Sequence, residues 1–314
     1  VALDAGHQLH PLVMTWPAAL ARGREAGQEL HELLGRRRSQ IRPDETATLI
    51  YTSGTTGEPK GVMLSHRNFL SNVAACLKTI PIRGTDLHLS FLPLSHVFER
   101  MAGWYLMLSV GASVAYAESM DTVAQNMAEV RPTIMLGVPR FFEKLYAGIQ
   151  GGVRQMPPAK RRVVEWALRI GQAVASRRVA GLAMPIPLAA QRWAADRLVF
   201  CKLRSRLGGR LRFFVSGSAP LAKELGEFFY SVGVTVLEGY GLTETSPVIT
   251  VNRLPIPKFG SVGQPIPGVE VRIAEDGEVL TRGPHVMQGY YHQPEATASA
   301  IVKGWLHTGD IGHL

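Results

Sequence analysis

Tyr51-Thr52-Ser53-Gly54-Thr55-Thr56-Gly57-Glu58-Pro59-Lys60-Gly61 places three glycines, four Ser or Thr hydroxyls and one lysine in eleven residues. Residues 47–51 before it and 62–64 after it are short apolar runs that read as strands, so the segment is a loop between two strands. Glycines let a backbone turn tightly and bring its N–H groups close to an anion. The hydroxyls of Thr52, Ser53, Thr55 and Thr56 can donate to phosphate oxygens, and Lys60 brings a mobile point charge. Together they predict a pocket for a polyphosphate. The spacing is not that of the Walker loop, because Lys60 follows Pro59 and not glycine. A plain polar turn is the alternative, but a turn rarely needs this many hydroxyls beside a lysine.

Outward from this loop, short apolar strands alternate with amphipathic helices. Strands are expected at 87–92, 113–117, 133–136, 211–215 and 234–237. Helices are expected at 68–80, 96–108, 123–130, 140–150 and 222–231. That alternation predicts layered α/β subdomains. From Gly268 the pattern changes to a hairpin, 269–273 and 277–281, around Glu275-Asp276-Gly277, in a smaller β-rich portion. The expected organisation is an α/β part at 46–267, with a basic helical insert at 151–212, and a β-rich part at 268–314. Residues 1–42 carry helical stretches without an obvious domain opening, and no internal repeat is evident.

The 314 residues are 46% hydrophobic and 19% charged, which supports a large core and argues against disorder. Cys76 and Cys201 form neither a disulfide framework nor a metal-ligand spacing, so a reducing, cytoplasmic compartment is expected. The longest apolar stretch, 101–117, has 17 residues and is interrupted by Gly111. A bilayer span needs about 20, so it reads as a buried helix, a turn and a buried strand. The net charge of +9 is concentrated between Arg154 and Arg212, where fourteen Arg or Lys face two acids, Glu165 and Asp196. Such a block suits an anionic partner, or is a pair of surface helices with solvated arginines. No nucleic-acid motif accompanies it, and no nucleic-acid partner is expected.

Two further segments sit after strands. In Ser216-Gly217-Ser218-Ala219-Pro220-Leu221, small residues leave room for a flat ring or a phosphate; a helix cap at Ser218 explains the pattern equally well. Glu238-Gly239-Tyr240-Gly241-Leu242-Thr243-Glu244-Thr245 offers a glycine-flanked aromatic able to stack on a base, then a hydroxyl and a carboxylate. Glu244 can hold Mg²⁺, a cation that favours oxygen ligands and phosphate partners. Tyr290-Tyr291 and Gly304-Trp305-Leu306-His307-Thr308-Gly309-Asp310 follow, the last ending in a carboxylate placed to accept from vicinal hydroxyls.

In this order, over residues 46–310, these motifs resemble those of the adenylate-forming (AMP-binding) superfamily: acyl-CoA synthetases, luciferases and the adenylation domains of peptide synthetases. The resemblance implies that Thr52, Ser53, Gly54, Thr55, Thr56, Gly57 and Lys60 hold the phosphates of ATP. It implies that Gly217, Ser218, Ala219, Glu238, Gly239, Tyr240 and Gly241 form the adenine side, with Tyr240 on the base. Thr243 then contacts the α-phosphate, Thr52 and Glu244 hold Mg²⁺, and Asp310 holds the ribose. Lys60, His96, Thr243 and Glu244 are the implied catalytic set.

The run Leu92-Pro93-Leu94-Ser95-His96-Val97-Phe98-Glu99-Arg100 and Val138-Pro139-Arg140-Phe141-Phe142-Glu143-Lys144 look like the long-chain fatty acyl-CoA synthetase branch. His96 can line the path to the carboxylate, or be a helix-capping or core histidine. Amino-acid-activating members place an Asp near the start of this helix, and none lies between Ser95 and Trp104. The implied reaction is activation of a long-chain fatty acid to acyl-AMP and pyrophosphate, followed by a thioester with coenzyme A. Loading of acyl or aryl groups onto a carrier protein and a non-catalytic binding relative are the alternatives. The family also carries a smaller C-terminal lid domain after Thr-Gly-Asp with a catalytic lysine. That domain and the start of the large domain are expected outside these 314 residues, so the chain alone should adenylate poorly. A homodimer is compatible with the resemblance. Residues 154–212, where Arg and Lys interleave with Val163, Val164, Trp166, Leu168, Ile170, Val174 and Val179, are expected to give peripheral contact with an anionic membrane, on its inner face.

Overall fold

The computed structural model describes residues 14–52 and 58–314. The chain divides into two compact units, Val1–Glu45 and Thr46–Leu314. In the first, α1 (Trp16–Glu25) opens with the Thr15 hydroxyl accepting from the Ala18 N–H, and α2 (Gly27–Gln40) follows; neither helix buries a residue.

The second unit begins with β1 (Thr46–Thr52) and β2 (Lys60–Ser65), an antiparallel pair in which Thr52 faces Lys60. Helix α3 (His66–Thr79) starts in a capping box: the Ser65 hydroxyl accepts from the Asn68 N–H, and Asn68 Oδ1 accepts from the Ser65 N–H at 2.8 Å. The Asn68 amide also donates to the carbonyls of Pro284 and Val286, both at 2.8 Å, tying α3 to a chain segment more than two hundred residues away.

A seven-stranded sheet forms the centre. It contains β3 (Leu87–Ser90), β4 (Ser113–Tyr116), β5 (Ile134–Gly137), β6 (Phe213–Ser216), β7 (Thr235–Gly241), β8 (Val248–Val251) and β9 (Gln264–Pro265), ordered β4-β3-β5-β6-β7-β8-β9. The pairs from β4 to β7 are parallel, and β8 and β9 add antiparallel. Both faces are covered, so the strands read as continuous apolar runs. Ile134, Leu136, Phe213 and Val215 face one core; Met135, Phe214 and Val236 face the other. The first core packs against α3 and the helical run after β3, whose π-helical stretch Glu99–Tyr105 continues as α4 (Leu106–Ser109). The second packs against α5 (Val123–Val130), α6 (Pro139–Arg154), α7 (Pro158–Val179) and, beyond the segment that leads into β6, α10 (Lys223–Ser231). Phe141, Phe142, Phe214, Phe228 and Phe229 stack edge to face within it.

Three structural details correct the expectations. Ser218 caps no helix: it has φ +69°, and α10 begins five residues later. Trp166, Leu168 and Ile170 pack on the second core and Val174 is buried, so they are not the lipid-facing side of the basic segment. Their position on α7 is set by the groove they fill, which local composition does not specify. The segment from α7 continues through α8 (Ile186–Ala195) and, past a short π-helical turn, α9 (Cys201–Arg206). The third detail concerns the C-terminal β strands. β10 (Glu270–Ile273) and β11 (Glu278–Arg282) form the expected hairpin, with Gly277 at φ +89° supplying the turn. However, β12 (Gly289–Tyr290) leaves that sheet and pairs with β2, while β13 (Ile301–Val302) and β14 (Trp305–Ile311) complete a four-stranded sheet ordered β10-β11-β14-β13.

Candidate functional site

The chain leaves β3 towards β4 but leaves β5 towards β6, so the connections reverse between β3 and β5. In open parallel sheets a crevice forms outside the carboxyl ends of the strands at such a reversal. A cavity of about 450 Å³ lies there. Thr52, His96, Gly217, Ser218, Tyr240 and Thr243, from strand ends and loops, supply its polar lining. Cys76 and Ile80 from α3, Ala102, Leu106 and Met107 from the run after β3, and Leu136 from β5 supply an apolar lining. Burial in that lining pushes the Cys76 thiol up to about 12, so it is a neutral, apolar wall group.

The structure brings Tyr240 and Asp310 together across seventy residues: the Tyr240 hydroxyl donates to Asp310 Oδ2 at 2.8 Å. Burial raises the Tyr240 phenol above its ordinary range, and the adjacent carboxylate raises it further. Glu244 has a partner that sequence reasoning missed. The Tyr290 hydroxyl donates to Glu244 Oε1 at 2.8 Å, and Lys60 Nζ lies 5.2 Å from the centre of the same ring. Tyr290 reaches that position because β12 pairs with β2, setting Tyr290 opposite Val62. Only the double tyrosine at 290–291 was a sequence signal, and it named no partner.

His96 immediately precedes the helical run. Its Nδ1 accepts from the Phe98 N–H at 3.2 Å, a capping contact, and it lines the cavity. Partial burial lowers its pKa against the opposing pull of Glu99, which favours the neutral ring. With Nδ1 as acceptor, the proton of the neutral ring sits on Nε2. Glu238 turns away: its Oε1 accepts from the Leu221 N–H at 2.9 Å, and burial raises its pKa. Its neighbours Gly239, Tyr240 and Gly241 line the cavity, whereas Glu238 and Ala219 do not. Ser53, Gly54, Thr55, Thr56 and Gly57 lie outside the described residues.

Among the described residues no three His, Cys, Asp or Glu side chains come together as a metal cluster. The Glu244 carboxylate still has the chemistry for Mg²⁺, which binds through one or two carboxylates and takes its other ligands from hydroxyls, water and substrate phosphates.

A parallel sheet with a cavity at its strand ends, lined by both polar and apolar groups, is the arrangement of a ligand-binding α/β fold. The family model described as AMP-binding enzyme matches residues 7–291, and the chain belongs to that family. A putative fatty-acid–CoA ligase, fadD11, of Mycobacterium tuberculosis is 44% identical over 274 residues, covering 86% of this chain and 48% of that protein. The long-chain-fatty-acid–CoA ligase FadD15 of Mycobacterium bovis is 39% identical over 308 residues, covering 94% and 49%. The crystal structure of ATP-bound MatB from Rhodopseudomonas palustris superimposes with a TM-score of 0.63 at 28% identity, covering 87% of this chain and 46% of that one. The chain thus spans about half the length of the curated relatives it matches.

Proposed function

We propose that the protein activates a long-chain fatty acid with ATP and transfers the acyl group to coenzyme A. The observation that carries this reading is the cavity itself, in which the polar groups of Thr52, Ser218, Tyr240 and Thr243 adjoin an apolar wall of Cys76, Ile80, Ala102, Leu106 and Met107. An uncharged tail fits that wall, and among the described residues no ionised side chain lines the cavity to meet an ammonium group. The names of the relatives support the same substrate class.

In the first half-reaction an oxygen of the fatty carboxylate attacks the α-phosphorus of ATP, forming the acyl–phosphate bond as pyrophosphate leaves. The protein positions the reactants and spreads the developing negative charge. Lys60 and the loop hydroxyls hold the phosphates, Tyr240 meets the adenine, Asp310 accepts from the ribose, and Thr243 donates to the α-phosphate. Asp310 is held for that task by the Tyr240 hydroxyl, and Glu244 by the Tyr290 hydroxyl. His96 donates from Nε2 to the fatty carboxylate and orients it. Glu244 and Thr52 would hold Mg²⁺, which when bound would supply charge neutralisation at the phosphates. In the second half-reaction the coenzyme A sulfur attacks the acyl carbon, and AMP leaves with the electron pair of the broken bond.

ATP–pyrophosphate exchange by the full-length protein across acids of graded chain length tests the first step. Exchange that rises with chain length is expected; exchange with short or aryl acids alone overturns the reading. Free acyl-CoA released from added coenzyme A is expected in the second step, and transfer only to a carrier protein counts against it.

A further inference from the structure

The connector between α7 and α8 and the outer face of α8 expose apolar side chains that nothing among the described residues covers. Ile186 is 85% exposed, Trp193 69% and Leu182 55%. Ile186 and Trp193 are seven residues apart on α8 and share one face. Arg197, one turn beyond Trp193, is exposed, as is Arg178 at the end of α7. Neither forms an ion pair among the described residues. Arg178 also lies close enough to the Arg192 guanidinium for the two like charges to act on each other.

This tip is presented rigidly. Both Nε and Nη2 of Arg177 donate to the Ala183 carbonyl, at 2.9 and 2.7 Å, which fixes the connector. Helix α7 is seated through Gly171, where an added Cβ would stand 2.6 Å from the Ser231 carbonyl oxygen. Helix α8 is held by Arg192, whose Nη1 donates to that same carbonyl at 2.6 Å and whose guanidinium lies 4.5 Å from the Phe200 ring. An apolar tip beside two exposed arginines that form no ion pair among the described residues has the chemistry of a lipid interface. Tryptophan favours the headgroup level, and arginine pairs with anionic headgroups. No helix among the described residues is long and apolar enough to cross a membrane, so the contact is peripheral.

We propose that this tip docks on an anionic phospholipid bilayer, with Leu182, Ile186 and Trp193 entering the headgroup–acyl boundary and Arg178 and Arg197 meeting lipid phosphates. None of these residues lines the cavity, so the proposal stands whichever acid the enzyme takes.

The test is co-sedimentation of the full-length protein with phosphatidylcholine vesicles, with and without phosphatidylserine. Binding at least about tenfold tighter to the anionic vesicles, weakened by salt, is expected. Ile186→Ser with Trp193→Ser should reduce that binding about tenfold or more, and Arg178→Gln with Arg197→Gln should remove most of the preference for anionic lipid. Circular dichroism and pyrophosphate exchange should be unchanged in both variants. Equal binding to neutral and anionic vesicles, or unaltered binding by the Ile186/Trp193 variant, overturns the proposal. So does a wild-type oligomer that the same variant converts to monomer, which would assign the face to contact between copies of the chain.

Discussion

At the scale of single residues, the site depends on hydrogen bonds between groups far apart in sequence. Tyr290 is the clearest case, because one side chain offers a hydroxyl to Glu244 and a ring face to Lys60. Tyr290→Phe removes the first and keeps the second. Under the proposed reaction, kcat/KM for MgATP should fall about tenfold, the worth of a hydrogen bond to a charged group. The pyrophosphate-exchange assay checks this, and an unchanged value would remove Tyr290 from the site. His285 is a residue whose titration should register in stability. It is buried, its Nε2 lies 3.0 Å from the Thr281 hydroxyl and its Nδ1 has no partner among the described residues, and burial pushes its pKa down to about 4. In the unfolded chain a histidine titrates near 6.5. Above that pH the ring is neutral in both states and its contribution is intact. As pH falls from about 6.5 to about 4 the unfolded chain gains a proton that the folded chain refuses, and up to about 3 kcal/mol is lost. Urea unfolding from about pH 7 to pH 4.5 should show a steeper loss for the wild type than for His285→Gln; parallel curves would contradict this account.

At the scale of elements, the helical run after β3 is the one whose geometry sequence patterning described least well. Its apolar spacing was legible as a helix at 96–108, but the π-helical turn over Glu99–Tyr105 was not. The turn encloses a pair with no solvent access: His88 Nε2 lies 2.8 Å from Glu99 Oε1. A Cβ on Gly103 would stand 2.9 Å from His88 Nε2 and closer still to the Glu99 carboxylate, so the helix can close over the pair only with glycine there. Gly103→Ala should destabilise the protein by about 1–3 kcal/mol, the usual cost of overpacking a core. A urea midpoint equal to wild type would show that the pair has room to move. Ser218 shows the opposite limit. Ser-x-Pro before an amphipathic run has the composition of a helix start, yet the helix begins at Lys223 and Ser218 faces the cavity. Local composition does not distinguish a cap from a ligand loop, because both need a small hydroxyl residue at a chain turn.

At the scale of the whole molecule, the cavity joins parts that are separated by most of the chain: Thr52 from the first hairpin, Cys76 from α3, Ser218 and Tyr240 from the ends of β6 and β7. A ligand that fills it should bind the folded state alone and raise its stability. MgATP at about 100 times its dissociation constant should add about 2.7 kcal/mol, read as a rise in thermal midpoint. A Glu244→Ala variant should show a smaller rise, and an equal rise in both proteins would argue against Glu244 as the metal-side carboxylate. The α/β alternation, the order of the motifs and hence the family are legible in the chain's residue pattern, because strands buried on both faces and glycine-rich turns impose their residue types locally. The crossing of β12 to β2, which delivers Tyr290 to Glu244, comes from long-range packing and is visible in the fold alone. So are the turn of Glu238 away from its own motif, the packing of Trp166, Leu168 and Ile170 of α7 on the core, and the exposure of Ile186 and Trp193. Which side of a strand or helix meets a partner depends on what packs against it from distant sequence, and that information is present only in the folded chain.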